Sequence, residues 1–111
     1  EHQLNNLVCI IDRNRLSVTQ IMESTVLFSN FKKKIEMFDW NCHVIDGHSF
    51  KEIFKTFNEI KNSKKPTFIL AETIKGKGIS FMEGITKWHH AIPTQKEIEI
   101  ARKELNAEGL E

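Results

Sequence analysis

Three short apolar runs, each closed by turn-forming residues and separated by helical stretches, restrict what this chain can fold into more than any other feature. Leu7-Val8-Cys9-Ile10-Ile11 runs without a polar break until Asp12-Arg13-Asn14. Cys42 to Asp46 is a second short strand candidate, ended by Gly47. Thr67-Phe68-Ile69-Leu70-Ala71 follows Pro66 as the third. The first and third runs, apolar without alternation, predict strands covered on both faces, the kind found in parallel sheets. Between the first two, Phe28, Phe31, Ile35 and Phe38 recur at helical spacing, with Lys32, Lys33 and Glu36 interposed. That spacing predicts an amphipathic helix over 26–38. Residues 15–24 have no period and read as a loop.

Ser49 and Glu52 predict a capping box, the hydroxyl accepting an early helix N–H and the carboxylate reaching back. The helix it opens carries Phe50, Ile53, Phe54, Phe57 and Ile60 on one face and should end near Asn62. Gly76, Gly78 and Gly84 punctuate a long loop after the third run. Pro93-Thr94 opens a last helix, with Thr94 and Glu97 as a second capping pair and Ile98, Ala101 and Leu105 on a shared face. The order predicts an α/β fold: a parallel sheet with right-handed crossover helices. Three strands with both faces to cover and both edges open make an incomplete sheet, so further strands are expected from elsewhere.

The totals exclude several function classes. With 111 residues the chain is about one domain. Sixteen basic and fifteen acidic residues give a net charge of +1, which argues against nucleic acid or an anionic membrane as main partner. Lys32-Lys33-Lys34 and Lys64-Lys65 read as solvated surface. Cys9 and Cys42 each lie in a strand candidate, so reduced thiols are expected rather than a disulfide, and neither has zinc-ligand spacing. No apolar stretch approaches the length of a membrane span. Glu1 to Asn6 are polar and carry no signal-peptide pattern, so cytoplasm is the expected compartment. The chain does not start with Met and reads as beginning inside a longer gene product.

Ligands in an open parallel sheet sit at the carboxyl ends of its strands. Three stretches meet that condition: Asp12 to Leu16, Asp46-Gly47-His48, and Thr73-Ile74-Lys75-Gly76-Lys77-Gly78. Each has an ordinary reading as a turn. The glycine loop is neither a P-loop, lacking the Gly-Lys-[Ser/Thr] ending, nor a dinucleotide fingerprint, lacking a third Gly that opens a helix. Together they are more particular. A Lys flanked by loop N–H groups suits a phosphate. An Asn oxygen with a nearby backbone carbonyl suits Mg²⁺, which takes hard oxygen ligands. Trp88-His89-His90 places imidazoles just downstream, able to bond phosphate oxygens and move protons near neutral pH.

The ordered set resembles one family. Asp12-Arg13-Asn14-Arg15-Leu16 resembles the second half of the thiamine-diphosphate motif of transketolases. Asp46-Gly47-His48, Lys65-Pro66-Thr67, the run from Thr73 to Glu83, and Trp88-His89 with Pro93 resemble the same family in the same order. Residues 1–111 would then be the later part of a diphosphate-binding (PP-type) domain, a partial thiamine-diphosphate-binding fold. The resemblance implies that Asn14 ligates Mg²⁺ and contacts the diphosphate. It implies that Leu16 ligates Mg²⁺ through its carbonyl, that Lys75 contacts the diphosphate, and that His89 contacts cofactor and sugar as the catalytic residue. His48 reads as a helix-flanking polar residue. His90 stands where the family usually has Gly, and Ser17 to Ser24 lacks the family's turn Gly, so no contacts are carried over there.

Other parts of the family's site are absent from the chain. Its Gly-Asp-Gly half, with the other Mg²⁺ ligand, should precede Glu1, and a separate pyrimidine-binding domain or subunit should complete the site in a dimer or heterotetramer. The complete enzyme would move a two-carbon ketol unit between sugar phosphates, from a ketose to an aldose. Two alternatives stand beside this. One is another thiamine enzyme, a deoxyxylulose-phosphate synthase or a 2-oxoacid dehydrogenase component, against which Trp88-His89-His90 speaks. The other is a non-catalytic assembly module of the same fold.

Overall fold

Residues 4–16 and 30–106 are described by the computed structural model. Contacts divide the chain into two units, Glu1–Arg13 with Glu23–Thr73, and Asn14–Met22 with Ile74–Glu111. The first unit holds β1 (Val8–Arg13), α1 (Phe31–Glu36), β2 (Asn41–Asp46), α2 (Phe50–Ile60) and β3 (Thr67–Glu72). The second holds a 3-10 turn, Thr86–His89, and α3 (Gln95–Glu104).

The sheet is parallel throughout with the order β1-β3-β2. β3, last in the chain, is therefore the central strand. Its residues Thr67 to Ala71 are all buried, with Ile69 at 1% exposure. The expectation of strands covered on both faces holds for β3 alone. β1 and β2 are the edges among the described residues, and each leaves one apolar side chain bare: Ile10 is 55% exposed and Val44 50%. Alternate side chains point to opposite faces of a strand. On one face Ile45, Ile69 and Ala71 form the core, with Val8 and the α2 residues Ile53 and Ile60 packed against it. On the other face Phe68 meets Phe31 of α1 edge-on at 5.2 Å and Trp40 at 6.2 Å. Edge-on contacts of this kind add to the area term.

Both cysteines are free, as expected. Cys9 and Cys42 pair in register with the same residue, Phe68, from opposite sides. A whole strand separates them, about 9–10 Å at the usual strand spacing, beyond disulfide reach. Burial pushes the Cys42 thiol above its ordinary value, with Glu36 adding and Lys32 opposing.

Three expectations about the helices are corrected. α1 occupies Phe31–Glu36, opening after Asn30 in the left-handed region and stopping short of the expected 38; residues 26–29, Phe28 among them, lie outside the described residues. The helix ends before Phe38, so Phe38 leaves the packing face and is 76% exposed, next to Asp39 at φ 64°. At the start of α2 only half of the capping box forms. The Ser49 hydroxyl accepts from Glu52 N, but the Glu52 carboxylate takes Asp46 N at 2.8 Å instead of the cap's own N–H. Finally, the apolar residues of α2 do not share one buried face. Ile53, Thr56 and Ile60 turn inward, whereas Phe50 and Phe54 are 77% and 69% exposed. At 3.6 residues per turn the Phe50/Phe54/Phe57 stripe lies about a quarter turn round from the inward one.

α3 matches its prediction. Thr94 Oγ1 accepts from Glu97 N at 3.3 Å and Glu97 Oε2 accepts from Thr94 N at 2.7 Å, a complete capping box. The backbone and side-chain bonds from Thr94 hold the Glu97 carboxyl below its ordinary value. No helix among the described residues is long and apolar enough to cross a membrane.

Candidate functional site

The ends of β1 and β3 are tied together just before the candidate residues begin. Arg13 and Glu72, in register, form an ion pair. The Thr73 hydroxyl donates to Asp12, and Thr73 N donates to Arg13 O at 3.3 Å. These clamps were not legible in the sequence, because the opposite charges at 13 and 72 become neighbours only through the register. Asp46-Gly47-His48 belongs to the same structural edge. His48 N donates to Asp46 Oδ1 at 2.9 Å and Gly47 N to Glu72 O at 2.8 Å. A Cβ on Gly47 would sit 2.5 Å from Thr73 Cγ2, so the close crossing over the end of β3 requires glycine.

Asn14, Leu16, Lys75 and His89 all fall in the second unit. Asn14 and Leu16 form a three-residue hook. Asn14 Oδ1 accepts from Leu16 N at 3.0 Å, with Arg15 between them at φ 60°. A side-chain amide oxygen that bonds the backbone two residues on is an Asx turn. The Asn14 oxygen keeps a second lone pair, and the Leu16 carbonyl follows the hook in the chain. Two neutral, hard oxygens are a fitting but partial set for Mg²⁺, which usually also takes carboxylate, phosphate and water. Among the described residues no group of three His, Cys, Asp or Glu could hold a metal.

Lys75 opens a loop that closes on itself. Gly84 N donates to Lys75 O at 2.9 Å. Gly76 has φ 72°, and a Cβ there would stand 2.7 Å from Met82 O, so only glycine allows the two limbs to approach. Gly78 N donates to Glu83 Oε1 at 3.0 Å, and Lys77 Nζ lies 3.4 Å from the same oxygen. The Lys75 ammonium has no hydrogen bond or ion pair among the described residues.

The loop leads into the short helix that ends at His89. Trp88 anchors it: the indole N–H donates to Phe81 O at 2.8 Å, its ring meets Phe81 edge-on at 5.3 Å, and Lys87 Nζ lies 4.6 Å above it. His89 is exposed, its ring edge-on to His90 at 5.9 Å. α3 braces the loop from behind. Glu104 accepts from Ser80 N at 2.7 Å and from the Ser80 hydroxyl, and these bonds, the hydroxyl's first, hold its carboxyl below the ordinary value. Glu83 enters the sequence reading only as the last residue of the Thr73-to-Glu83 run, without a role, and nothing in the spacing singles out Glu104.

Over residues 1–110 the chain matches the family described as transketolase, thiamine diphosphate binding domain. One of the subunits of the apulose-4-phosphate transketolase of Phocaeicola vulgatus is 38% identical over 107 residues, covering 96% of this chain and 38% of that protein. Human transketolase is 38% identical over 88 residues, 79% of this chain and 14% of that one. A crystal structure of transketolase from Campylobacter jejuni superposes with a TM-score of 0.84 at 30% identity, covering 95% of this chain and 16% of the other. The chain thus spans well under half the length of the relatives it matches.

Proposed function

The chain belongs to the transketolase thiamine-diphosphate-binding domain family, and on that premise we propose that it anchors the Mg²⁺-diphosphate of thiamine diphosphate within a larger transketolase. Residues 1–111 form the later part of the diphosphate-binding domain in this reading. One observation carries it: the hook at Asn14–Leu16, the Lys75 loop and His89, far apart in sequence, fall in one compact unit of a chain with this family match.

Each residue has a task. The Asn14 amide oxygen and the Leu16 carbonyl ligate Mg²⁺, and Asn14 also contacts the diphosphate. Lys75 contributes the ammonium that meets the diphosphate. His89 contacts the cofactor and the sugar, where an imidazole can hold or move a proton. Bound Mg²⁺–thiamine diphosphate supplies neutralised phosphate charge, a nucleophilic carbon and an electron sink for transfer of a two-carbon ketol unit from a ketose to an aldose. The chain's own contribution is orientation, since fixed groups convert a bimolecular encounter into a positioned one.

The site is completed by an upstream segment and by a pyrimidine-binding domain or subunit, in a dimer or heterotetramer. The Phocaeicola relative is named as one subunit of its enzyme, which supports a multi-subunit arrangement, and its name supports sugar phosphates as substrates. The compartment is the cytoplasm. The test is an assay of the assembled enzyme with Mg²⁺ and thiamine diphosphate. Ketol transfer between sugar phosphates is expected; pyruvate decarboxylation in its place, or no Mg²⁺-dependent cofactor binding, would overturn the reading.

A further inference from the structure

The two lysines of the glycine loop differ in what they touch. Lys77 faces Glu83 Oε1 at 3.4 Å, and the same oxygen accepts the Gly78 N–H at 3.0 Å. One ammonium and one loop N–H converging on an anionic oxygen is what a phosphate would receive from such a loop. Here the anion is internal. Lys75, two residues away, has no partner among the described residues. The dipeptide Glu83-Gly84 also holds the loop at both ends, since Gly84 N donates to Lys75 O at 2.9 Å while the Glu83 side chain holds Gly78.

We infer that Glu83 is a positioning residue of this loop: it withdraws Lys77 and the Gly78 N–H from anion binding and leaves Lys75 as the loop's single ligand cation. Without Glu83 the loop would carry two uncompensated ammonium groups and a free N–H, and an anion could settle on either lysine. With it, only one seat remains. This inference rests on the proposed contact between Lys75 and the diphosphate.

The test uses the assembled enzyme, with calorimetric affinities for Mg²⁺–thiamine diphosphate and for inorganic pyrophosphate. Glu83→Gln keeps an oxygen for Gly78 N but removes the charge that holds Lys77. It should tighten pyrophosphate binding about fivefold, the effect of one partly exposed ammonium. Adding Lys77→Gln should abolish that gain. Lys77→Gln alone should leave thiamine diphosphate affinity within about twofold of wild type. A merely structural lesion would not strengthen anion binding, nor would removal of a second cation cancel the gain. Unchanged or weaker pyrophosphate binding in Glu83→Gln would overturn the inference. If that variant does not fold, Lys77→Gln, a change at an exposed side chain, decides it, and a loss equal to that of Lys75→Ala would sink it. Lys75→Ala tests the underlying reading separately: unchanged cofactor affinity there removes the anchoring role whatever the Glu83 variants do.

Discussion

The sheet unit and the loop unit both carry polar clamps but differ in what they bury: among the described residues only the sheet unit has buried side chains. In the first, the Arg13–Glu72 and Thr73–Asp12 clamps accompany apolar groups buried around β3, yet Ile10, Val44, Phe50 and Phe54 remain at least half exposed. In the second, acidic side chains act as staples: Glu83 on Gly78 and Lys77, Glu104 on Ser80, Glu97 on Thr94. Apolar burial is non-directional and scales with area, so an incomplete sheet keeps faces that further structure can cover. Hydrogen bonds are directional and local, so a loop can be braced in place by a few of them. The contrast fits the proposal of a scaffold completed by further structure and a candidate loop that holds its own shape.

Four measurements test that contrast. The largest effect belongs to the sheet. Ile69→Ala, at 1% exposure in the central strand, should cost about 2–5 kcal/mol in urea unfolding of the assembled enzyme. A cost below about 1 kcal/mol would deny that β3 is the core. Next, Asn14→Ala and Lys75→Ala should each raise the thiamine diphosphate dissociation constant about tenfold or more, since a charge-assisted bond is worth about 1.5–3 kcal/mol. Melting temperatures should barely move; calorimetry with unaltered affinity in both would reject their anchoring roles. Third, His89→Ala should lower turnover at saturating cofactor, and wild-type kcat with wild-type donor KM would remove its substrate role.

The smallest effect concerns a staple. Glu104 has a folded-state pKa below its ordinary 4.5 because Ser80 donates to it twice. The contribution of such a group is fully present above the unfolded value and is lost as pH falls through the folded one. Exchange of the Ser80 amide should therefore accelerate below the ordinary carboxylate range. Glu104→Gln should flatten that dependence, and an identical profile in the variant would show that another group governs it.

Much of the fold was legible because apolar runs and capping residues act locally. Thr67–Ala71 reads as a buried strand and is one, and Thr94 with Glu97 closes the box its spacing requires. What escaped was tertiary. Nothing in the β1 run, as apolar as that of β3, says which strand lies in the centre. Glu52 fits a capping box but finds Asp46 N closer to hand. The five apolar residues of α2 share a helical side, yet only those aimed at Ile45, Ile69 and Ala71 are covered. At the candidate site, Asn14, Leu16, Lys75 and His89 are nominated by resemblance and by residue chemistry. The Asx hook and the Glu83 and Glu104 staples depend on left-handed backbone and on contacts across the loop that spacing does not reveal.

The outer edge of β1 has one practical consequence. Its outward N–H and C=O groups have no neighbouring strand among the described residues, and Ile10 stands bare beside them. Such an edge is a template for any extended chain, including another copy of itself. Produced alone at high concentration, this polypeptide should self-associate strand to strand, and a charge at Ile10, such as Ile10→Lys, should delay precipitation.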